Sequence, residues 1–175
     1  MRRFEQEAWE WLKALVLAIL LAVLLRHFVL DNYIVDGSSM LPTLHDQERV
    51  LVYKLGHRLG SEPARGDIIV FQYAREPWRA FVKRVIGIAG DTVAVRDGQV
   101  YVNGQPISEP YLSAATLGDY KPITVQPGTV FVMGDNRNFS MDSRDASVGL
   151  VSVNTIKGNA WGVYWPPKVV RLIGH

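Results

Sequence analysis

The stretch Val93-Ala94-Val95-Arg96-Asp97-Gly98-Gln99-Val100-Tyr101-Val102-Asn103-Gly104 decides the class of fold. Valines recur at every second position on both sides of Asp97-Gly98, and that dipeptide favours the tight two-residue turn of a hairpin. Asn103-Gly104 then marks a second turn. Working outward, Tyr33-Ile34-Val35, Arg49 to Tyr53, Asp67 to Phe71, Ala80 to Gly87, Thr129 to Met133 and Ala160 to Trp165 are further short β-branched runs bounded by turn residues. Pro166-Pro167 stops the last of them. Lys54 to Gly66 reads as a loop, and a helical turn is expected within Ser140 to Val153. The fold class is therefore mainly β, an antiparallel domain.

The N-terminus follows another pattern. Ala14 to Leu25 is an unbroken apolar run, extended by Trp9 to Leu30 with Glu10, Lys13, Arg26 and His27 near its ends. As a helix, residues 9–30 reach about 33 Å, close to the ~30 Å hydrocarbon core of a bilayer. Lys13 and Arg26 can snorkel to opposite interfaces, and Trp9, Trp11 and Tyr33 suit aromatic belts. The alternative is a buried core helix, since the uninterrupted run is short. A cleaved leader is disfavoured because Leu24-Leu25-Arg26-His27-Phe28 offers no small-x-small site. The expected organisation is a short cytoplasmic N-terminus at 1–8, a single transmembrane anchor at 9–30 and an extracytoplasmic domain at 31–175. A small β insertion is expected at about 91–128. Arg2, Arg3 and Lys13 favour an inside N-terminus.

Composition narrows the chemistry. Of 175 residues 48% are hydrophobic and 21% charged, enough apolar material for one domain with its own core. The net charge is +2 without a basic stripe, so nucleic-acid binding is not expected. There is no cysteine, which removes disulfides, thiolate metal sites and cysteine nucleophiles. No metal cluster or nucleotide-binding glycine loop is present, and no cofactor is expected.

Three polar sites remain. Ser39, in Gly37-Ser38-Ser39-Met40-Leu41-Pro42-Thr43-Leu44, becomes a nucleophile only beside a base; otherwise a Gly-Ser-Ser loop is turn chemistry. Lys83, in Phe81-Val82-Lys83-Arg84-Val85-Ile86-Gly87, shares a strand face with Phe81 and Val85, while Arg84 points to the other. A lysine titrating near ~10.4 must fall roughly 2 to 3 units to serve as a base, which desolvation can supply. A lysine in such a run more often snorkels to the surface. Gly134 to Arg144 is the third cluster, read either as a solvated turn or as a loop in which Ser140 orients the lysine and Asp142 and Arg144 brace the backbone. A Ser-His-Asp triad would need His27, His45, His57 or His175, none set as a base.

Taken in order, Ser39 with Met40 to Leu44, Arg65-Gly66-Asp67, Lys83 to Gly87 with Gly90-Asp91, and Gly134 to Arg144 resemble the sequence boxes of type I signal peptidases. Those are membrane-bound Ser/Lys proteases that remove signal peptides from exported proteins. The short interval from Lys83 to Ser140 resembles the small Gram-positive type. The resemblance implies Ser39 as nucleophile, Lys83 as general base, Ser140 as the serine orienting it, Asp142 and Arg144 as a supporting pair, and the Ser39 N–H in the oxyanion hole. Met40 belongs to the nucleophile's box. Gly37 stands where some members carry a second oxyanion donor, so a backbone N–H made accessible by the glycine is expected instead.

The same resemblance implies substrates with small residues first and third before the cut, bound extended along strand edges. Partners implied are signal peptides of preproteins, membrane lipid and the secretion translocon, at the cell membrane. Met40, Leu41, Leu44, Trp161 and Trp165 are candidate lipid contacts. Leu112-Ser113-Ala114-Ala115-Thr116 holds a small-x-small pattern, and self-cleavage after Ala115 is a further expectation. Two other classes stay open: an inactive membrane-anchored scaffold, and a self-cleaving Ser/Lys peptidase, whose SOS-repressor examples carry a DNA-binding module instead of a span.

Overall fold

Twelve strands in two antiparallel sheets follow an N-terminal helix among the described residues. The computed structural model describes residues 2–58 and 60–173, with side chains described for all of these but 2–6, 8, 25–27, 57 and 58. Helix α1 is Arg2–Phe28. The large sheet contains β1 (Leu30–Ile34), β2 (Arg49–Tyr53), β3 (Ile68–Gln72), β4 (Ala80–Gly87), β9 (Thr129–Met133), β10 (Val151–Ser152), β11 (Ile156–Trp165) and β12 (Arg171–Leu172). Its order is β1-β2-β11-β3-β4-β9-β10, with β12 beside β11. The small sheet comprises β5 (Thr92–Arg96), β6 (Gln99–Val102), β7 (Gln105–Pro106) and β8 (Tyr120–Thr124), in the order β7-β6-β5-β8.

The deciding hairpin forms as its residues require. Val93 faces Val102 and Val95 faces Val100, all four buried. Asp97 and Gly98 both have positive φ, as do Asn103 and Gly104, the geometry of turns whose twist matches the flanking strands. β8 was not evident from sequence because Pro122 cannot donate to a ladder; it is tolerated because β8 is an edge strand. The Lys54 to Gly66 loop contains a four-residue helix, Leu55–Arg58. Beyond Ser140 the chain turns repeatedly, with short 3-10 segments at Val153–Thr155 and Pro167–Val169.

β3 is buried along nearly its whole length, which explains why Ile68 to Phe71 is continuously apolar. Ile68 and Val70 pack with Val35, Met40, Leu44, Val50 and Val52, while Ile69 and Phe71 pack with Val85, Val130 and Val132. The small sheet seals a third cluster over Ile86, Phe131 and Met133. Gly87 lies at this junction: a Cβ there would stand 2.5 Å from Val93 Cγ2.

Two expectations need correction. Met40 and Leu44 do not face lipid; both are completely buried in the core. The second concerns the expected span at 9–30. The helix ends at Phe28, Leu30 already belongs to β1, and among the described residues no helix is long and apolar enough to cross a membrane. The unbroken apolar run, Ala14 to Leu25, covers only about 18 Å, although the whole 27-residue helix is about 40 Å long. The described side chains of α1 from Trp9 to Leu24 are nonetheless exposed all round.

Candidate active site

β4 carries Lys83 into the interior, where only 4% of the residue stays exposed. Its Nζ has two hydrogen-bond partners, Ser39 Oγ at 2.7 Å and the Val82 carbonyl at 2.9 Å. The amine lies 5.2 Å from the centre of the Phe81 ring. Desolvation pulls its pKa from 10.5 down to about 8, against the smaller opposing pull of Asp142 and Asp135. Neither carboxylate bonds to it, so burial wins.

Ser39 is presented by the loop after β1. Gly37 adopts φ +98°, a left-handed conformation suited to glycine, and nothing lies within 4 Å of where its Cβ would be. Its N–H donates to Asp46 Oδ1 at 2.7 Å, so this N–H is already engaged. The Ser39 N–H, by contrast, donates to no protein acceptor among the described residues. Asn136 clamps the loop from the far side: its N–H donates to the Ser39 carbonyl and its Nδ2 to the Ser38 carbonyl, both at 3.0 Å. Sequence reading passed over Asn136, whose only signal was its place in a dense polar cluster.

The Gly134 to Arg144 loop braces this arrangement. Asp142, fully buried, accepts the Gly134 N–H at 3.0 Å and pairs with Arg144 through Nε at 2.8 Å and Nη2 at 2.9 Å. Ser140 differs from expectation, because its Oγ is buried with no hydrogen-bond partner and the Val82 carbonyl occupies the lysine's second contact. Ser140 is still close to the nucleophile's backbone. A Cβ on Gly134 would meet Ser140 Oγ at 2.3 Å and the Ser39 carbonyl at 2.4 Å, so only glycine permits this approach.

Arg84, on the opposite face of β4 from Lys83, is as buried as the lysine. It donates to Asp135 through Nε at 2.8 Å and Nη2 at 2.7 Å, and to the Gly66 carbonyl at 2.9 Å. Asp135 also accepts from Thr43 of the nucleophile's loop. Arg65 pairs with Asp91. Burial alone would raise the Asp91 carboxyl, but hydrogen bonds from Arg65, the Ile88 N–H and Asn103 outweigh it and hold it low. The segment between β7 and β8 contributes Glu109, which pairs with buried Arg137 of the site loop, and Asn138 holds the Ala115 carbonyl at 3.1 Å.

A cleft of about 400 Å³ opens over Ser39 and Lys83, walled by Tyr33 to Gly37 on one side and Arg79 to Val82 on the other, with Val50 and Val70 between. Phe139 and Met141 also border it. Of the histidines, His45 is exposed and lies near Glu48 rather than Ser39; the side chains of His27 and His57, and all of His175, lie outside the described residues. Among the described residues no group of acidic, histidine or cysteine side chains is arranged to hold a metal. A buried, partly deprotonated amine against a serine hydroxyl can do nucleophilic catalysis.

Residues 8–165 match the family model described as signal peptidase, peptidase S26. A relative named signal peptidase I from Bacillus licheniformis is 43% identical over 173 residues, 93% of this chain and 91% of its own. Signal peptidase I T of Bacillus subtilis is 44% identical, covering 93% of this chain and 88% of its own. A solved structure of a signal peptidase I from Enterococcus faecalis is similar with a TM-score of 0.51 at 34% identity, over 56% of this chain and 96% of that one. The fold and site define a serine-containing β peptidase. The chain belongs to the signal peptidase family, peptidase S26, and is a hydrolase of the signal peptidase I kind.

Proposed function

We propose that this peptidase removes signal peptides from preproteins after a small-x-small site, with Ser39 as nucleophile and Lys83 as general base. The observation that carries the assignment is the 2.7 Å contact between Lys83 Nζ and Ser39 Oγ, made by a buried lysine titrating at about 8. At pH 7 such a lysine is neutral in about one molecule in ten, against roughly one in three thousand at 10.5.

The neutral amine takes the Ser39 proton as Oγ bonds to the scissile carbonyl carbon, and the carbonyl electron pair moves onto oxygen. The Ser39 N–H donates to that oxyanion. Collapse breaks the C–N bond, the Lys83 ammonium gives its proton to the departing amine, and the signal peptide remains as an ester on Ser39. Neutral Lys83 next takes a proton from water while the oxygen attacks the ester. The second collapse returns the proton to Ser39 and frees the signal peptide's new carboxylate. Asp142, Arg144, Gly37 and Met40 act as positioning residues around these two, and Ser140 packs beside the nucleophile's backbone without bonding the lysine.

Backbone edges support an extended substrate. β1 is an edge strand, and the pairing of β4 with β9 begins only at Arg84, so Ala80 to Lys83 carry an edge free of β9. Both edges border the cleft, and a peptide laid between them gains main-chain hydrogen bonds with little demand on sequence. Membrane attachment through α1 is part of the same reading. It is supported by the exposure of Leu15, Leu17, Ile19, Leu20, Leu21 and Val23.

The test is incubation of the purified full chain, in detergent or liposomes, with a preprotein bearing an Ala-x-Ala site, beside Ser39→Ala and Lys83→Met. Cleavage by wild type alone is expected. Cleavage by Lys83→Met would refute the assignment of the base.

A further inference from the structure

The loop joining β3 to β4 carries Trp78, which is 81% exposed, between Arg75 and Arg79. An indole this exposed at a hairpin tip contributes nothing to the core. The strand registers place this tip. Leu30 lies opposite Tyr53, Tyr53 opposite Asn159, Asn159 opposite Ile69, and Ile69 opposite Lys83. α1 therefore enters the large sheet at the level of Lys83. β3 runs beyond that level through Phe71 and Gln72 before it turns, and β4 returns from Ala80. The tip projects from the sheet end at which α1 joins it.

Four basic side chains, Arg75, Arg79, Lys54 and Lys157, meet three acidic ones, Glu76, Asp145 and Asp31, at this end, a positive excess of one. The side chain of Arg79 bonds to Glu76 at 3.2 Å and lies 5.4 Å from the centre of the Phe81 ring, at the mouth of the cleft. Arg75 lies near exposed Asp145. Lys54 and Lys157 line a polar hollow beside Asp31 at the same end. Tryptophan flanked by arginines suits the boundary between headgroups and acyl chains, the ring seated among glycerol groups and the guanidiniums on phosphates.

We propose that the β3–β4 hairpin tip is a second membrane contact, Trp78 inserting into the interface of an anionic bilayer with Arg75 and Arg79 on lipid phosphates. This rests on the reading that α1 sits in the bilayer. Together the two contacts hold the open end of the cleft against the membrane, where a membrane-embedded substrate segment arrives. Each arginine at an anionic surface should strengthen the contact about fivefold.

The absence of cysteine allows single labels without background. An environment-sensitive fluorophore is placed at Leu17→Cys or Trp78→Cys of the full chain, reconstituted in phosphatidylcholine vesicles with and without phosphatidylglycerol. Lipids brominated at different depths serve as quenchers. The expected result is deep quenching at position 17, and shallow quenching at 78 that strengthens with phosphatidylglycerol. Quenching at 17 but not at 78 overturns the hairpin contact and leaves α1 in the bilayer; quenching at neither overturns both. Quenching at 78 indifferent to phosphatidylglycerol overturns the role of the arginines. As a second readout, Arg75→Gln with Trp78→Ser should slow processing of a vesicle-embedded preprotein about fivefold or more, with cleavage of a short soluble peptide in detergent unchanged. Equal loss on both substrates refutes the proposal.

Discussion

Replacing Lys83 by methionine should stabilise the protein at neutral pH and abolish that advantage in alkali. In the folded state the lysine titrates at about 8 instead of 10.5. The unfolded chain thus binds more protons between those values, and stability gained from Lys83 rises with pH across that window. Below pH 8 the buried ammonium burdens the fold by about 3 kcal/mol, from 2.5 units at about 1.36 kcal/mol each; by pH 10 the burden is under ~1 kcal/mol. Methionine keeps most of the stem's volume but leaves the Ser39 hydroxyl and the Val82 carbonyl without their amine, a loss of about 1–2 kcal/mol. Lys83→Met should accordingly be about 1–2 kcal/mol more stable than wild type at pH 7 and no more stable at pH 10. Urea unfolding of both proteins, followed by tryptophan fluorescence at four pH values, gives the difference directly. A difference that stays constant from pH 7 to 10 would show that Lys83 is not depressed, and the argument for a neutral base would fall.

Other perturbations probe the supports. With the same lysine, kcat/KM should climb about tenfold per unit below pH 8 and level above it; a profile flat from pH 6 to 8 contradicts a base with that pKa. Gly134→Ala forces a methyl against Ser140 Oγ and the Ser39 carbonyl, so activity should collapse with about 1–3 kcal/mol of stability, measured by peptide turnover and denaturation midpoint. Glu109→Ala leaves the Arg137 guanidinium buried without its carboxylate and should cost about 3–5 kcal/mol, read as a Tm lower by roughly 6 to 20 °C. Asn136→Ala removes the side-chain clamp on the Ser38 carbonyl and should lower kcat more than it raises KM; a pure KM effect would place Asn136 in substrate binding instead.

Much of the β framework was legible along the chain. Valine alternation and two turn dipeptides specify the Val93 to Val102 hairpin locally, and the β-branched run Asp67 to Phe71 announced a strand, whose burial on both faces only the structure showed. Edge elements were not legible. β8 contains a proline that local rules demote, and β10 and β12 are two residues long, held by neighbours instead of propensity. At the site, residue types marked Ser39, Lys83 and the Gly134 to Arg144 cluster. The clamp by Asn136, the engagement of the Gly37 N–H by Asp46 and the Glu109–Arg137 pair depend on contacts between distant segments.

By itself, the sequence determined the class of fold, the order of the motif boxes, the absence of thiol chemistry and the candidate pair of serine and lysine, because these follow from residue type, period and spacing. Only the tertiary structure decided that Lys83 is desolvated and 2.7 Å from Ser39, that Met40 lies in the core, and that Ser140 makes no bond to the lysine. Burial and approach are properties of what packs around a side chain. For Lys83, Ser39 lies 44 residues away along the chain.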